Sequence, residues 1–422
     1  MRSIKYFLRL VARYVLGGTF VFSGFVKAVD PMGSAYKIQD YFTAFGMTWL
    51  SGAALVFAVI LSWAELTLGV LMILDELRPV AVWGIAGFMA IFTPLTLYLA
   101  IANPVSDCGC FGDAIKLTNW ETFGKNVVLL LFVALLLVGG WKNRIYVDRR
   151  RPWLQAVWWV FIGGAALLPS FYALRHLPLI DFRPYRIGAS FVEGRAVPPG
   201  APVDQYATTF VYEKDGVSKE FTEEDYPWED STWSFVDSKT ELIAKGYEPP
   251  MGNFRLIDAL GVDVTDSLMA GDGYLLLGVS PFLENIGEKD AERWSRLAGL
   301  MVQRGERVVL ATSSSGEAVT AFSKQHRNVP VVTTDERVLK TIVRADLGVV
   351  LVQHGVIVGK WRMRDVPIDG FADGDLLGKA IRARERRMDL TLACALIGLL
   401  LAVRLLLVER RSREKERVTA VA

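Results

Sequence analysis

Two of the three cysteines in the chain sit in one short stretch, Ser106-Asp107-Cys108-Gly109-Cys110-Phe111-Gly112-Asp113. Residues two apart in a turn fall within the Cα separation that a disulfide needs, about 4.4–6.8 Å. Gly109 lacks a Cβ, so it can adopt the backbone angles that so small a ring demands. A ring of this size is strained, and strained disulfides are the reducible ones. Cys108 and Cys110 are therefore candidates for a redox-active dithiol at a membrane surface. The competing reading is a tight loop whose cysteines pack or form a static clip. A Cys-x-Cys pair alone offers fewer ligands than a structural zinc site uses. His176, His326 and His354 lie apart in sequence without metal-ligand spacing, so no metal is assigned. Cys394, inside an apolar run, reads as a small buried residue.

The elements around this loop are apolar. Of the 422 residues 52% are hydrophobic, and they concentrate before about Leu174 and again from Leu390 to Leu407. That distribution argues for a membrane part and a charged soluble part rather than one globule. The expected spans are a first ending at Val26-Lys27, then Leu55–Leu74 with Glu65 inside it, Val80–Ile101 broken by Thr93-Pro94, Trp120–Val138, Ala156–Leu174, and a sixth at about Met388–Val408. The first resembles a signal peptide but lacks a small-residue cleavage site, and it reads as retained, with Arg9 and Arg13 snorkelling to the surface. Ala35–Phe45 carries apolar residues at helical spacing and is too short to span, as an interfacial helix would be. A formal net charge of only +2 gives no global field for nucleic acid.

Basic residues cluster at the N-terminus, at Lys142–Arg151 and in the tail Glu409–Ala422. With six spans all three fall on the cytoplasmic side, which puts both termini in the cytoplasm. The cysteine loop and the region 175–387 then lie outside, in an oxidising compartment. Arg382, Arg384, Arg386 and Arg387 oppose this orientation, but they follow a long domain, and long domains translocate largely regardless of charge. The expected division is residues 1–174 as a five-span bundle, 175–387 as the periplasmic region, 388–408 as the last span and 409–422 as a basic cytoplasmic tail.

Within the outer region, 187–254 is rich in aromatics, Gly and Pro. Thr208–Tyr212, a turn at Glu213–Gly216 and Lys219–Phe221 read as a β-hairpin, beside a cluster of Tyr226, Trp228, Trp233 and Phe235 that reads as core or aromatic girdle before partner surface. From 274 to 366 strands and helices alternate: Tyr274–Val279, helix Lys289–Arg304, Arg307–Thr312, helix Gly316–His326, Val329–Val332, helix Asp335–Arg344, and a hairpin turning at His354-Gly355. This βαβ order closed by an antiparallel hairpin is thioredoxin-like. The fold class expected is an α-helical membrane bundle of about six spans plus a periplasmic α/β thioredoxin-like domain.

Several residues together carry a family likeness: Gly17-Gly18-Thr19-Phe20-Val21-Phe22-Ser23-Gly24-Phe25-Val26-Lys27, Glu65, Cys108-Gly109-Cys110-Phe111-Gly112, Trp120 and Lys125-Asn126. From Tyr14 to Val138 the sequence resembles the DoxX-like membrane proteins, specifically the MauE branch named for methylamine utilisation. The part from Ile187 to Val366 resembles the thioredoxin-like extension found on such proteins. Two departures stand out. Where a redox thioredoxin domain has Cys-x-x-Cys, this sequence reads Ser280-Pro281-Phe282-Leu283-Glu284. Where it has a cis-proline, this one has Leu347-Gly348. The outer domain therefore cannot itself cycle a disulfide, and a binding or positioning role is expected of it.

The MauE resemblance implies a part in disulfide formation or maturation of a periplasmic redox protein. The attacking species would be a thiolate at Cys108 or Cys110, whose pKa must be lowered. Lys27 and the N-terminal end of the fourth span are the groups expected to do so. Glu65 is an intramembrane carboxylate, functional by default or else paired with Lys27 or Arg13 inside the bundle. Electrons need a sink or source, for which a membrane quinone is the usual small molecule, though no quinone site is visible in the sequence. Lipid and a separate periplasmic protein are the expected partners. The alternative is a non-enzymatic membrane scaffold whose thioredoxin-like domain binds a partner.

Overall fold

The computed structural model of the chain describes residues 2–105, 107–138, 152–244, 246–325 and 329–371, with the single residues 378 and 398. Apart from residue 398, the expected sixth span lies outside the described residues, as do the basic segments 142–151 and 409–422, His326 and Cys394. The N-terminal part is helical: α1 (Arg2–Val29), α2 (Pro31–Ala44), α3 (Ala54–Leu74), α4 (Arg78–Ala102), α5 (Asn119–Val138) and α6 (Pro152–Arg175). All except α2 are long and apolar enough to cross a membrane. At ~1.5 Å per residue, ~20 residues cover the ~30 Å hydrocarbon layer. Their outward faces carry exposed Phe57, Ile60, Ile91, Leu131 and Val160, while Leu16, Ile85, Met89 and Val133 pack inward.

Helices α1 and α3 are in close backbone contact because small residues line their seam. A Cβ on Gly69 would come within 2.6 Å of the Val21 nitrogen, one on Gly17 within 2.6 Å of Ile73, and one on Gly24 would collide with the Leu66 backbone. Small residues at helix crossings are how membrane helices come this close. Two expectations fail here. Arg13 does not snorkel: it is 4% exposed, ion-paired to Asp75 at 3.1 Å, and it donates to the Ile73 carbonyl at the C-terminal end of α3. An ion pair and an otherwise unpaired helix-end carbonyl hold it in place. Nor is the third span broken at Thr93-Pro94, since α4 runs through Pro94 as one helix. Around the proline, Thr96 Oγ1 donates to Phe92 O and Thr93 O, and Asn126 Nδ2 of α5 reaches Phe92 O and Thr96 Oγ1.

Beyond α6 a short helix α7 (Phe191–Arg195) precedes three antiparallel strands, β1 (Gln205–Lys214), β2 (Val217–Phe221) and β3 (Ser234–Ala244), ordered β2-β1-β3. The β1–β2 turn is Asp215-Gly216, with φ of 53° and 77°. Two left-handed central residues give a turn whose twist matches the strands, which is why Asp-Gly suits it. Rings of Phe210, Tyr212, Phe221, Tyr226, Trp233 and Phe235 contact one another on this small sheet. Of the four aromatics singled out in the sequence, Trp228 and Phe235 are exposed.

The remaining elements are α8 (Thr265–Ala270), β4 (Tyr274–Ser280), α9 (Glu288–Gln303), β5 (Arg307–Thr312), α10 (Gly316–Gln325), β6 (Val331–Thr333), α11 (Glu336–Ile342), β7 (Gly348–Gln353), β8 (Val356–Arg362) and α12 (Ile368–Phe371). They form a mixed sheet ordered β6-β5-β4-β7-β8. Strands β4, β5 and β6 are parallel, whereas β7 is antiparallel to β4 and β8 to β7. The central strands are apolar through their middles, Leu275–Val279, Val308–Ala311 and Val349–Val352, because both faces are covered. Leu275, Leu277 and Val279 pack with Leu339 and Ile342 of α11 on one face. On the other, Leu276 and Leu351 pack with Trp294, Leu297 and Met301 of α9.

Candidate thiol site

The cysteines lie between α4 and α5, at the end of the bundle where α1 finishes, α2 lies and α6 delivers the chain to the sheets. Arg13 and Asp75 mark the opposite end. The left-handed Asn103 (φ 45°) stops α4, and Gly109 and Gly112 (φ 64° and 50°) fold the loop tightly enough for Gly112 N to donate to Gly109 O at 3.1 Å. This brings Cys108 Sγ and Cys110 Sγ to 2.9 Å. Both are free thiols, Cys108 buried and Cys110 half-buried.

Neighbouring helices grip the loop by its backbone. Tyr41 Oη of α2 donates to Cys108 O at 2.8 Å, and Ser23 Oγ of α1 lies 2.8 Å from Cys110 O. Lys37 pairs with Asp107 at 3.1 Å, and its stem fills the space that a Cβ at Gly109 would need. Asn119 Nδ2 on α5 donates to Asn103 Oδ1 at 2.9 Å and Val105 O at 3.0 Å, closing the loop's base. Lys125 Nζ stands over the Phe111 ring, 4.5 Å from its centroid.

Beneath the loop Lys27 and Glu65 meet, as the sequence allowed: Lys27 Nζ is 2.7 Å and 2.9 Å from the two carboxylate oxygens, and both residues are buried. Arg13, the other partner considered for Glu65, goes to Asp75 instead. Ser23 joins the pair to the loop. It accepts from Lys27 Nζ at 2.8 Å, and its single hydroxyl proton faces two acceptors, Glu65 Oε2 and Cys110 O, both at 2.8 Å.

The two thiols differ electrostatically. Cys110 is held at about 6, below the usual thiol range, first by the hydrogen bond from Cys108 and then, against its burial, by the Lys125 and Lys27 cations. Cys108 is pushed up, because its proton bonds to the Cys110 sulfur and because it is buried. Burial, with Cys108 next, raises the Tyr41 phenol. A cleft of about 120 Å³ runs beside the loop, lined by Asp30, Lys37, Asp107, Gly109, Asp113 and Arg183, among others.

The sequence named Cys108, Cys110, Lys27 and Glu65, and the structure brings these four to one end of the bundle. It adds Ser23, Lys37, Tyr41, Asn119 and Lys125. Ser23 was findable, one helical turn before Lys27 on α1; Tyr41 carried no signal. Among the described residues no group of three or more His, Cys, Asp or Glu is arranged to hold a metal ion.

A helical membrane bundle with a paired-thiol loop at one end, followed by a mixed-sheet domain, is the class of protein defined here. Residues 5–139 match the family model described as methylamine utilisation protein MauE. That match covers the helical region from α1 to α5, which is less than half of the chain. Residues 206–245, the three-stranded sheet, match a domain of unknown function (DUF8463). No curated protein matches the chain.

Proposed function

We propose that the protein exchanges disulfides with an extracytoplasmic redox protein during its maturation, through Cys108 and Cys110. The observation that carries this is the pair itself: two free thiols 2.9 Å apart, only one of them accessible and that one favoured as thiolate. Thiolate character and access together mark a reactive cysteine. In one direction, the Cys110 thiolate attacks a partner disulfide and releases one partner sulfur as a thiolate. The Cys108 thiol then gives up its proton and displaces the mixed bond. The products are a Cys108–Cys110 disulfide and a reduced partner. The reverse sequence oxidises a partner dithiol.

Lys27 and Glu65 act in this reading as a buried ion pair that supports Cys110 through Ser23, and Lys125 supplies a further cation that favours the thiolate. The sheet domain is read as thioredoxin-like without its cysteines; the order β6-β5-β4-β7-β8 with its antiparallel final pair supports this. The site is put on the periplasmic face of a bacterial inner membrane, with both termini cytoplasmic, by the three basic segments of the sequence. A quinone would return electrons to or from the pair. The cleft beside the loop, at about 120 Å³, is smaller than the ~300 Å³ at which ligand pockets begin, so no step is routed through a quinone.

The test is a glutathione redox titration of the full-length protein, read by thiol alkylation and mass. It is paired with partner trapping in membranes carrying Cys108→Ala or Cys110→Ala. The expected result is a two-electron transition, with mixed disulfides formed by Cys108→Ala through the remaining Cys110. A pair that stays reduced under oxidising glutathione ends this reading. The scaffold alternative would then lead, favoured by the thiol-free segment Ser280–Glu284.

A further inference from the structure

Outside the thiol site, the strongest cluster of buried charge joins the sheet domain to the membrane bundle. Its centre is Arg344, which follows α11 and is 8% exposed. Arg344 Nη1 donates to Lys340 O at 2.6 Å, which fixes the guanidinium to its own helix. Its Nε and Nη2 reach the carboxylate of Asp30 at 2.9–3.1 Å, a two-pronged contact. Nη2 also lies 3.5 Å from Asp113 Oδ2, the last residue of the Cys-Gly-Cys stretch. The Tyr36 ring lies under the guanidinium, 5.3 Å from centroid to Cζ.

Each partner is already structural. Asp30 caps α2 by accepting from Gly33 N at 2.9 Å, and a Cβ at Gly33 would come within 2.7 Å of Arg344 Nη2, so the glycine leaves room for the arginine. Burial would raise the Asp30 pKa, but Arg344 and Arg183 overcome it and hold the carboxylate ionised. Arg183 is itself buried, donating to Asp181 and to Thr341 O, and Asp181 also takes Lys360 Nζ at 2.7 Å.

We infer that Arg344 is a positioning residue for the thiol pair: the sheet domain, which has no thiol of its own, holds the Cys108–Cys110 loop in its paired geometry through Asp30 and Asp113. This rests on the thiol-exchange reading above. Holding two sulfurs in contact raises their effective concentration toward each other and so favours their bond. Freeing the loop lowers that preference and exposes Cys110.

The experiment measures the midpoint potential of the pair against glutathione, and the alkylation rate of Cys110, in full-length wild type, Arg344→Ala, Arg344→Lys and Asp113→Ala. Limited proteolysis reports whether the sheet domain remains folded. Arg344→Ala and Asp113→Ala are expected to weaken the disulfide about tenfold, a rise of about 30 mV for a two-electron couple, and to speed alkylation. Arg344→Lys, which keeps charge but loses the fork, falls between. Should Arg344→Ala unfold the domain, Asp113→Ala decides alone, since Asp113 belongs to the loop. Unchanged potentials and alkylation in folded variants overturn this inference while the thiol reading stands. A wild-type pair that never oxidises sinks both.

Discussion

The membrane bundle and the five-stranded domain solve the same problem in opposite ways. Each has a segment that leaves a regular element and turns back over its core. In the bundle that segment is the cysteine loop, and in the sheet domain it is Ser280–Glu284 after β4. The first ends in two free thiols beside Lys125 and a buried ion pair. The second is tied off by hydroxyls: Ser314 Oγ accepts from Leu283 N and donates to Glu284, both at 2.8 Å, and Ser313 Oγ donates to Pro281 O at 2.6 Å. Both keep ionisable groups inside, Lys27 with Glu65 and Arg13 with Asp75 in the bundle and Lys360 of β8 with Asp181 in the sheet domain, whereas the sheet face around Leu276 and Trp294 is apolar. In the proposed reading reactivity sits where the loop keeps its two thiols, and the hydroxyl-bound turn serves as support.

The sharpest way to break that contrast is to move the thiol requirement. Cys110→Ala should abolish exchange, a loss of at least ~100-fold in rate; Ser280→Ala should leave it unchanged, and a deficit there would show that the sheet domain takes part in the chemistry. Next in size is the buried pair. Glu65→Gln strands Lys27 and should cost about 3–5 kcal/mol of stability, measured by denaturant unfolding in detergent, and Lys27→Met with Glu65→Met should recover much of it. If the single change is silent, the pair is not held as described. In the sheet domain, Leu276→Ala should cost about 2–5 kcal/mol through its cavity while leaving the Cys108–Cys110 loop's backbone contacts formed, which hydrogen exchange resolves by region.

A pH series sharpens the contrast further. Cys110 is depressed to about 6, so its ionised form is favoured in the fold. That stabilisation is complete above the ordinary thiol value of about 8.5 and is lost as pH falls through about 6. Iodoacetamide should accordingly modify Cys110 at a rate that holds down to about pH 6 and then declines. A rate still climbing between pH 7 and 9 would mean an ordinary thiol. The smallest effect is expected at Gly216, whose φ of 77° in the β1–β2 turn makes Gly216→Ala cost about 1 kcal/mol, with thiol chemistry untouched.

Much of this was legible in the sequence where the signal is local. The spans follow from apolar runs, and the hairpin turns at Asp215-Gly216 and His354-Gly355 from residues that tolerate positive φ. The thiol pair is adjacent in sequence. A basic partner for Glu65 was expected because a charge in apolar surroundings has few other ways to be satisfied, and Lys27 rather than Arg13 supplies it. Pro94 misled because local rules end a helix there, whereas α4 runs through it as one helix. Arg13 misled for a related reason, since its partner Asp75 lies on the next span. Tyr41 and Arg344 were out of reach: their contacts with Cys108 and Asp30 span 67 and 314 residues, and neither lies in a pattern that periodicity exposes.

The end of α6 offers one more consequence. Arg362 of β8 donates to the Leu174 carbonyl at 2.6 Å, and His176 Nδ1 meets Asp365 at 3.1 Å, so the sheet domain is pinned to the last turn of its own incoming helix as well as to Asp30 and Asp113. A body fixed at two separated points has one easy motion left, rotation about the line joining them, and releasing either point converts it to a hinge. Letting go at Arg344 would leave the domain held at the end of α6, while letting go at Arg362 would leave it held by the chain leaving α6 and by Asp30 and Asp113. The two releases are mechanically distinct, and only the first frees the cysteine loop from the sheet domain.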